Sequence, residues 1–383
     1  MATKPRVLLL HNYLSPYRVP LFALLANEMD LTVWLMGDVR GFREWPVEVP
    51  EDAFAYHILP HRRIVVNSDY HVLLNWGFSR RLKQFRPDVI IACGWDQPAT
   101  MLAPFIARSL GIPYVLWSGS TAGEPNWRRT VSSWLVRKVI ARADAFIAYG
   151  SRAQNYLESL GAPASQIVRA YNTVETKRFR AIANETDPSR IRKELGLADG
   201  PVLLFSGQLI DRKGLPDLLS ALELLRGNYP DLTLLVAGSG DQGERYQARC
   251  LAQDLGARVQ FLGFVDRGRL AQLYASVDLC VLPSHEEVWG LVLNEAMACG
   301  TPVLTTNATG ASADLVEDGV NGYVVPPDEP AALAAAMRLF LGLSESDRAK
   351  MRAGATATAD RFTLEAMVSA FVEAVTRSRH TSK

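Results

Sequence analysis

Glu287 and Glu295 are the carboxylates best placed to do chemistry. They lie in PSHEEVWGLVLNEAMACGTPV, residues 283–303. An apolar run, 277–282, predicts a strand that ends in this polar loop. A helix is expected from near Gly290 to Gly300, where Gly and then Pro302 stop it. The unpaired N–H groups and positive dipole end of that helix face the loop. Such an end is an anion site, suited to a diphosphate. Gly290 and its neighbours Val288, Trp289 and Leu291 would present these groups. Glu287 lies in the loop and Glu295 about two turns along, ~12 Å down the axis if both were helical. That spacing is too wide for one acid/base pair. It fits two grips on one extended ligand, because carboxylate oxygens accept hydrogen bonds from paired sugar hydroxyls. Either residue alone could be a dipole partner or a solvated helix glutamate.

Three further segments join strand to helix through glycine. SGQLIDRKG, 206–214, follows an apolar run and offers Gly207, Gln208, Arg212 and Lys213. Lys213 reads as a phosphate-binding cation or as a surface lysine before a glycine turn. AGSG, 237–240, closes the next run at Gly238, and FLGFV, 261–265, carries Phe264. Glycine turns after strands are common, and backbone recognition leaves no side-chain trace. The loop after the first strand, HNYLSPYR at 11–18, lacks GxGxxG, which disfavours a nicotinamide site there.

These segments need a scaffold, and the apolar pattern supplies one. Short apolar runs at 7–10, 31–36, 88–93, 114–117 and 145–148 predict strands. Helical spacing marks 17–28, 71–86, 98–110 and 127–141. A second series alternates strands at 202–207, 232–238, 258–262, 277–282 and 303–305 with helices at 215–226, 242–255, 266–275, 290–299 and 311–316. An Ala-rich helix pair and a helix at 362–378 follow. Strands alternating with helices predict parallel sheets covered on both faces. The fold class is therefore α/β, with two doubly wound Rossmann-like domains. Residues 1–175 form the first, 176–361 the second, and 362–383 a C-terminal helix. A linker is expected at 173–180. Ligands of such sheets bind beyond the strand ends, so a cleft between the domains is expected.

Composition sets the remaining bounds. The 383 residues are 48% hydrophobic and 21% charged, enough for a large core. Four scattered cysteines and six histidines show no disulfide framework and no zinc spacing. Free thiols fit a reducing compartment. No signal peptide and no apolar stretch of membrane-spanning length is evident, so a cytoplasmic protein is expected. Net charge is +1, which implies no nucleic-acid partner. Yet residues 1–172 hold 19 Lys+Arg against 13 Asp+Glu, and the remainder 22 against 27. Seven of eight tryptophans fall in the basic half, so the domains are expected to take different ligands.

With its E-x7-E pair inside PS-x-x-E-x-W-G-L-V-x-x-EAMA-x-G-TPV, the sequence resembles the retaining GT-B glycosyltransferases of glycosyltransferase family 4. The likeness is full over the C-terminal domain and in outline over the N-terminal one. It implies hexosyl transfer from a UDP- or GDP-sugar to an acceptor hydroxyl, with the anomeric configuration retained. It places the reaction in polysaccharide, glycolipid or glycoconjugate synthesis. It assigns Glu287 and Lys213 to catalysis. Donor binding falls to Gly207, Gln208, Arg212, Lys213, Gly238, Phe264, Val288, Trp289, Gly290, Leu291 and Glu295. No cofactor or metal is implied, because Lys213 and the helix end neutralise the diphosphate. The C-terminal helix is expected to return to the N-terminal domain, which binds the acceptor, and the domains to close on the donor.

Three positions depart from the family pattern. Gln208 replaces its Arg, Trp289 its Phe, and no His stands near Ser118 and Ser120. On the acceptor side Ser15, Tyr17, Arg18, Trp95, Asp96, Ser118 and Ser120 are the candidates. Asp96 reads as a general base or as a loop cap, and His11 is equally ambiguous. The segment 127–140 is basic and amphipathic, with Trp127, Val131, Trp134, Leu135 and Ile140 near one face. Such a helix can lie on an anionic membrane or pack into a core with a cationic rim. Arg62, Arg63, Arg80, Arg81 and Lys83 add charge and keep a lipid-linked or phosphorylated acceptor, and peripheral association at the inner membrane face, in view. Two other readings share the architecture: a sugar-nucleotide epimerase, and a non-catalytic nucleotide-sugar-binding protein.

Overall fold

The computed structural model describes residues 3–38, 47–66, 71–122 and 127–381, with the backbone alone at 127–133 and 381. The chain forms two compact units: Met1–Asn172 with Leu364–Lys383, and Thr173–Thr363.

In chain order, unit 1 contains β1 (Arg6–His11), α1 (Arg18–Glu28), β2 (Asp30–Leu35), β3 (Ala55–Ile58), β4 (His61–Val65), β5 (His71–Asn75), α2 (Phe78–Phe85), β6 (Val89–Cys93), α3 (Pro98–Leu110), β7 (Tyr114–Ser118), α4 (Trp127–Ile140), β8 (Ala145–Ala148), α5 (Ser151–Ser159) and β9 (Ile167–Arg169). Seven strands form a parallel sheet in the order β3-β2-β1-β6-β7-β8-β9, and β4 and β5 pair as an antiparallel hairpin. Strand residues alternate between two cores. Val7, Leu9, Ile91 and Val115 face one side, while Leu8, Leu10, Ile90 and Leu116 face the other. That two-sided burial is why these strands read as unbroken apolar runs.

Unit 2 contains α6 (Thr176–Glu185), α7 (Pro188–Glu194), β10 (Val202–Ser206), α8 (Leu215–Leu225), β11 (Thr233–Ala237), α9 (Gly243–Ala252), β12 (Val259–Gly263), α10 (Arg267–Ser276), β13 (Leu279–Leu282), α11 (Leu291–Ala298), β14 (Val303–Thr306), α12 (Ser312–Leu315), β15 (Gly322–Val325), α13 (Pro330–Leu341) and α14 (Glu345–Arg361). Its parallel sheet runs β12-β11-β10-β13-β14-β15. Leu203, Phe205, Leu234, Val236 and Val281 pack against Leu218, Leu222, Met337 and Phe340 from α8 and α13. The last helix, α15 (Leu364–Thr381), belongs to unit 1, where Met367, Phe371 and Ala374 join the core beneath β7 and α1. Phe371 meets Trp117 edge-on at 4.9 Å.

Two sequence expectations are corrected. The run 71–86 is not one helix: β5 occupies its first five residues, and α2 starts at Phe78. Leu73 is fully buried while Leu74 is 38% exposed, the period of a strand. The expected linker at 173–180 is largely α6, whose Thr176 and Phe179 are buried. On α4, Trp134 is 57% exposed beneath the Lys138 ammonium, whereas Val136, Val139 and Ile140 are buried. Trp134 and Ile140 therefore lie on different faces. The side chains of Trp127 and Val131 lie outside the described residues.

His11 ends β1 with Nδ1 against the Tyr13 carbonyl, at 2.8 Å. Burial, and then the neighbouring Arg18 charge, push its pKa down to about 3. The folded state therefore keeps the ring neutral where the unfolded chain, near 6.5, takes up a proton. Stability must then fall as pH drops from about 6.5 towards 3. His11→Asn keeps an N–H donor near the Tyr13 carbonyl and removes the titration. Melting curves between pH 7 and 5, above most carboxylate titrations, should fall less steeply for the variant. Equal slopes would refute a buried neutral imidazole.

Candidate functional site

In unit 2 the strand order turns between β10 and β13, so the loops after these strands lie side by side. Open parallel sheets bind ligands at such a point. The loop after β10 ends at Gly214, with φ +71°, and a Cβ there would stand 1.9 Å from the Pro283 carbonyl oxygen. The two loops therefore meet backbone to backbone. Gly238, after β11, is equally confined: its Cβ would lie 1.8 Å from the Gly207 carbonyl oxygen. Its N–H bonds the Gly263 carbonyl at 2.7 Å, while Gly207 N–H bonds Ala237 at 3.0 Å. The glycine turns after β10, β11 and β12 thus form one stacked edge.

That edge brings together two residues 74 positions apart. Lys213 Nζ forms an ion pair with Glu287 Oε2. Their side chains are 13% and 15% exposed, so the pair is more strongly coupled than a surface one. The loop holding Glu287 is clamped from its other side. Gly310 N–H donates to the Glu287 carbonyl at 2.8 Å, and Ala311 N–H to that of Trp289 at 2.9 Å. Beside it begins α11, with Gly290 in left-handed backbone at φ +96° as its N-cap and no side chain capping it. A helix leaves its first N–H groups without intrahelical acceptors, and no acidic residue occupies the first turn here. A cation, a carboxylate and an uncapped helix end thus share one strand edge.

Trp289 takes part in a buried hydrogen-bond chain. Its indole N–H donates to Asn294 Oδ1 at 2.9 Å. Asn294 Nδ2 reaches Thr173 Oγ1 at 3.5 Å, and Thr173 donates to the Phe362 carbonyl. The chain runs from the loop ahead of α11 to the two segments by which the polypeptide enters and leaves unit 2. A phenylalanine ring could not donate its first bond. Glu295 lies deeper, 1% exposed, with Tyr274 OH donating to Oε2 at 3.0 Å.

The other predicted residues are more peripheral. Gln208 and Arg212 are exposed, and Arg212 reaches the Glu286 carbonyl at 3.4 Å. Val288 is 38% exposed, and Leu291 partly so. Phe264 is 51% exposed and lines a hollow of about 250 Å³ with Leu195, Val265 and Arg269. His285 braces the loop: its Nε2 lies 2.6 Å from Asp217 and 3.2 Å from Asp328. These three are the described residues whose types and spacing could hold a cation, with ligand atoms within 4.8 Å of one another.

In unit 1 the order turns between β1 and β6. Arg18 is buried there. Nη1 donates to Asn172 Oδ1 at 2.9 Å and Nη2 to Tyr149 OH at 2.8 Å. Ser15 accepts the Arg18 N–H through its carbonyl at 2.9 Å, and Tyr17 precedes α1 as its N-cap. Gln97 is the N-cap of α3, and its side chain makes no capping bond. Asp96 accepts from Asn12 and Gln97 at 2.9 and 3.1 Å, holding the loops after β1 and β6 together. Trp95 lies against Tyr156 at 6.4 Å. Ser118 is 2% exposed and accepts from the Ser120 N–H at 3.2 Å. Sequence reasoning missed Tyr149, Asn172 and Trp117. Their contact with Arg18 joins positions up to 154 apart, and no local pattern signals it.

Residues 187–358 match the family described as glycosyl transferases group 1, and residues 23–173 the glycosyl transferase 4-like domain. Among relatives, glycogen synthase of Mycobacterium tuberculosis is 31% identical over 268 residues, 68% of this chain and 61% of that protein. D-inositol 3-phosphate glycosyltransferase of Xylanimonas cellulosilytica is 35% identical over 234 residues, 59% of this chain and 55% of that protein. The chain thus spans about three fifths of the length of these relatives. The crystal structure of Anabaena HepE in complex with UDP superposes with a TM-score of 0.78 at 21% identity, covering 97% of this chain and 99% of that one. Sucrose-phosphate synthase from Thermosynechococcus elongatus gives 0.72 at 21%, covering 96% and 98%. With two parallel Rossmann-like sheets, and with both halves matched to glycosyltransferase families, the chain belongs to the GT-B glycosyltransferases of the family 4 type.

Proposed function

We propose that the protein transfers a hexose from a UDP- or GDP-sugar to an acceptor hydroxyl, with retention, in polysaccharide, glycolipid or glycoconjugate synthesis. The observation that carries this reading is the Lys213–Glu287 pair beside the uncapped start of α11. A departing nucleoside diphosphate gains negative charge as the glycosidic bond breaks. Lys213 and the N–H groups near Gly290 and Leu291 stabilise that charge in place. Glu287 then holds donor-sugar hydroxyls and faces the oxocarbenium-like centre. Glu295, oriented by Tyr274, takes the ribose. Lys213 and the helix end do the neutralising, and no metal is required. The HepE structures with UDP and with UDP-glucose support a uridine donor.

The acceptor belongs to unit 1, in the loops after β1, β6 and β7. We place the enzyme in the cytoplasm, at the inner membrane face. Exposed Trp76, Ile64 and Leu74 share the β4–β5 region with exposed Arg62, Arg63, Arg80, Arg81 and Lys83. Exposed apolar side chains and cations on consecutive segments suit an anionic lipid surface. Among the described residues no helix is long and apolar enough to cross a membrane.

A thermal-shift screen with UDP, GDP and their sugars tests the donor assignment, since ligands of the native state raise its apparent stability. One nucleotide class should stand out, and a flat screen would defeat the reading. With that donor, Glu287→Gln should lower transfer by roughly 100-fold or more, the scale of losing one electrostatic group. Nucleotide affinity should stay within a few fold. Undiminished turnover would remove its assigned role.

Trp289→Phe keeps the ring and deletes the indole donor, leaving Asn294 Oδ1 without it in a site 2% exposed. A loss of about 1–3 kcal/mol in stability is expected for such an orphaned buried acceptor. Donor affinity should weaken too, because Trp289 adjoins the diphosphate loop. An unchanged melting temperature and unchanged affinity would show the hydrogen-bond chain to be idle.

A further inference from the structure

Unit 1 holds a buried cation with no carboxylate partner among the described residues. Arg18 is 7% exposed. Its two hydrogen-bond acceptors, Asn172 Oδ1 and Tyr149 OH, are both neutral. Its guanidinium carbon lies 4.6 Å from the Trp117 ring centroid and 5.5 Å from that of Tyr149. A guanidinium has five N–H donors, and most of them remain for another acceptor. Aromatic faces recover part of the cost of burying the charge. They do not supply the counter-charge that a buried cation calls for.

Neighbouring groups share this incompleteness. His11 is neutral, and with Nδ1 on the Tyr13 carbonyl its Nε2 is a buried acceptor without a partner among the described residues. The ring lies 5.6 Å from that of Trp117. The Trp117 indole N–H is buried and has no acceptor among the described residues. Cys93 offers no anion, because burial holds its thiol at about 11. One cluster therefore combines a cation with spare donors, a lone N–H donor and a lone acceptor. It sits at the C-terminal ends of β1, β6 and β7, where the strand order of unit 1 turns. Gly119 packs so closely on Tyr149 that a Cβ would fall 2.5 Å from its ring, so the Ser118–Ser120 loop pins the tyrosine that orients Arg18.

We propose that this cluster binds an oxyanion carried by the acceptor, a sugar carboxylate or sugar phosphate, on Arg18, while His11 Nε2 accepts a hydrogen bond from a neighbouring hydroxyl. The guanidinium fork matches both oxyanions geometrically. The assignment rests on the glycosyltransferase reading and narrows its acceptors to acidic ones.

Calorimetric titration of the full chain with glucuronate, glucose 6-phosphate, glucose and inorganic phosphate tests it. At least one acidic sugar should bind ten-fold or more tighter than glucose and than inorganic phosphate. Arg18→Gln should abolish that preference and Arg18→Lys should reduce it, while the nucleotide found in the donor screen binds all three proteins alike. Equal binding of acidic and neutral sugars, a preference that survives Arg18→Gln, or phosphate binding as tightly as either acidic sugar would each overturn the proposal. Nucleotide binding with no acidic preference would sink the subsite and leave the donor reading standing, whereas a chain that binds no nucleotide loses both. Should Arg18→Gln not fold, wild-type crystals soaked in selenate give the answer. An anomalous selenium peak within hydrogen-bond reach of Arg18 is expected, and its absence at saturating selenate would refute the site.

Discussion

The meeting of Lys213 with Glu287 is the constraint on which the rest of unit 2 depends. The two residues come from loops after different strands and touch only because β10 and β13 are neighbours where the strand order reverses. The Lys213 ammonium and the Glu287 carboxylate, both largely shielded from solvent, offset each other's charge. In the proposed reaction, a diphosphate entering beside α11 would bring new negative charge and compete with Glu287 for the ammonium. The carboxylate displaced from Lys213 would then be available to hydroxyl groups, which donate to it. One ion pair can thus hold the site in register before the ligand arrives and divide into two binding groups afterwards.

Glycine makes that juxtaposition possible. Gly214 against Pro283, Gly238 against Gly207 and Gly310 against Val288 each place backbone where a Cβ would overlap a carbonyl oxygen. Four loops, those after β10, β11, β13 and β14, are thereby packed main chain to main chain, which brings side chains at their tips close without a long reach. Gly214 and Gly238 also adopt positive φ, which glycine enters without strain. The positions look unremarkable in the sequence, because their function lies in what they omit.

Legibility followed burial. Strands covered on both faces, such as β1, β6, β7 and β10, appear as apolar runs and were placed within a residue or two. β3 and β4 are largely exposed and carry no such run, so they were not found. In 71–86, apolar residues at 72–74, 78 and 82 match helical spacing, yet Gly77 at φ +73° separates a strand from a helix. The start of α11 was visible because Gly290 and Gly300 bracket the helix. The Lys213–Glu287 contact, the Trp289–Asn294 bond and the Arg18 cluster were not visible, because each is set by tertiary neighbours and not by local spacing. His11 and Asp96 stayed ambiguous for the same reason. Only the fold shows that one ring is held neutral and that the carboxylate ties two loops together.

The two units treat buried charge in opposite ways. Unit 2 matches its cation with a carboxylate, and the resulting pair is neutral as a whole. Unit 1 surrounds Arg18 with amide, phenol and indole, all neutral, and sets beside it an imidazole that the same charge helps to keep unprotonated. A paired cation yields to a strong competing anion such as a diphosphate. An unpaired cation in a low-dielectric setting discriminates more sharply, because an anion placed there gains an attraction that a neutral ligand of the same shape lacks. On the proposed assignment, the donor half is built to be rearranged by its ligand, and the acceptor half to select its ligand by charge. This follows from what each cation touches among the described residues, Glu287 for Lys213 and neutral groups for Arg18.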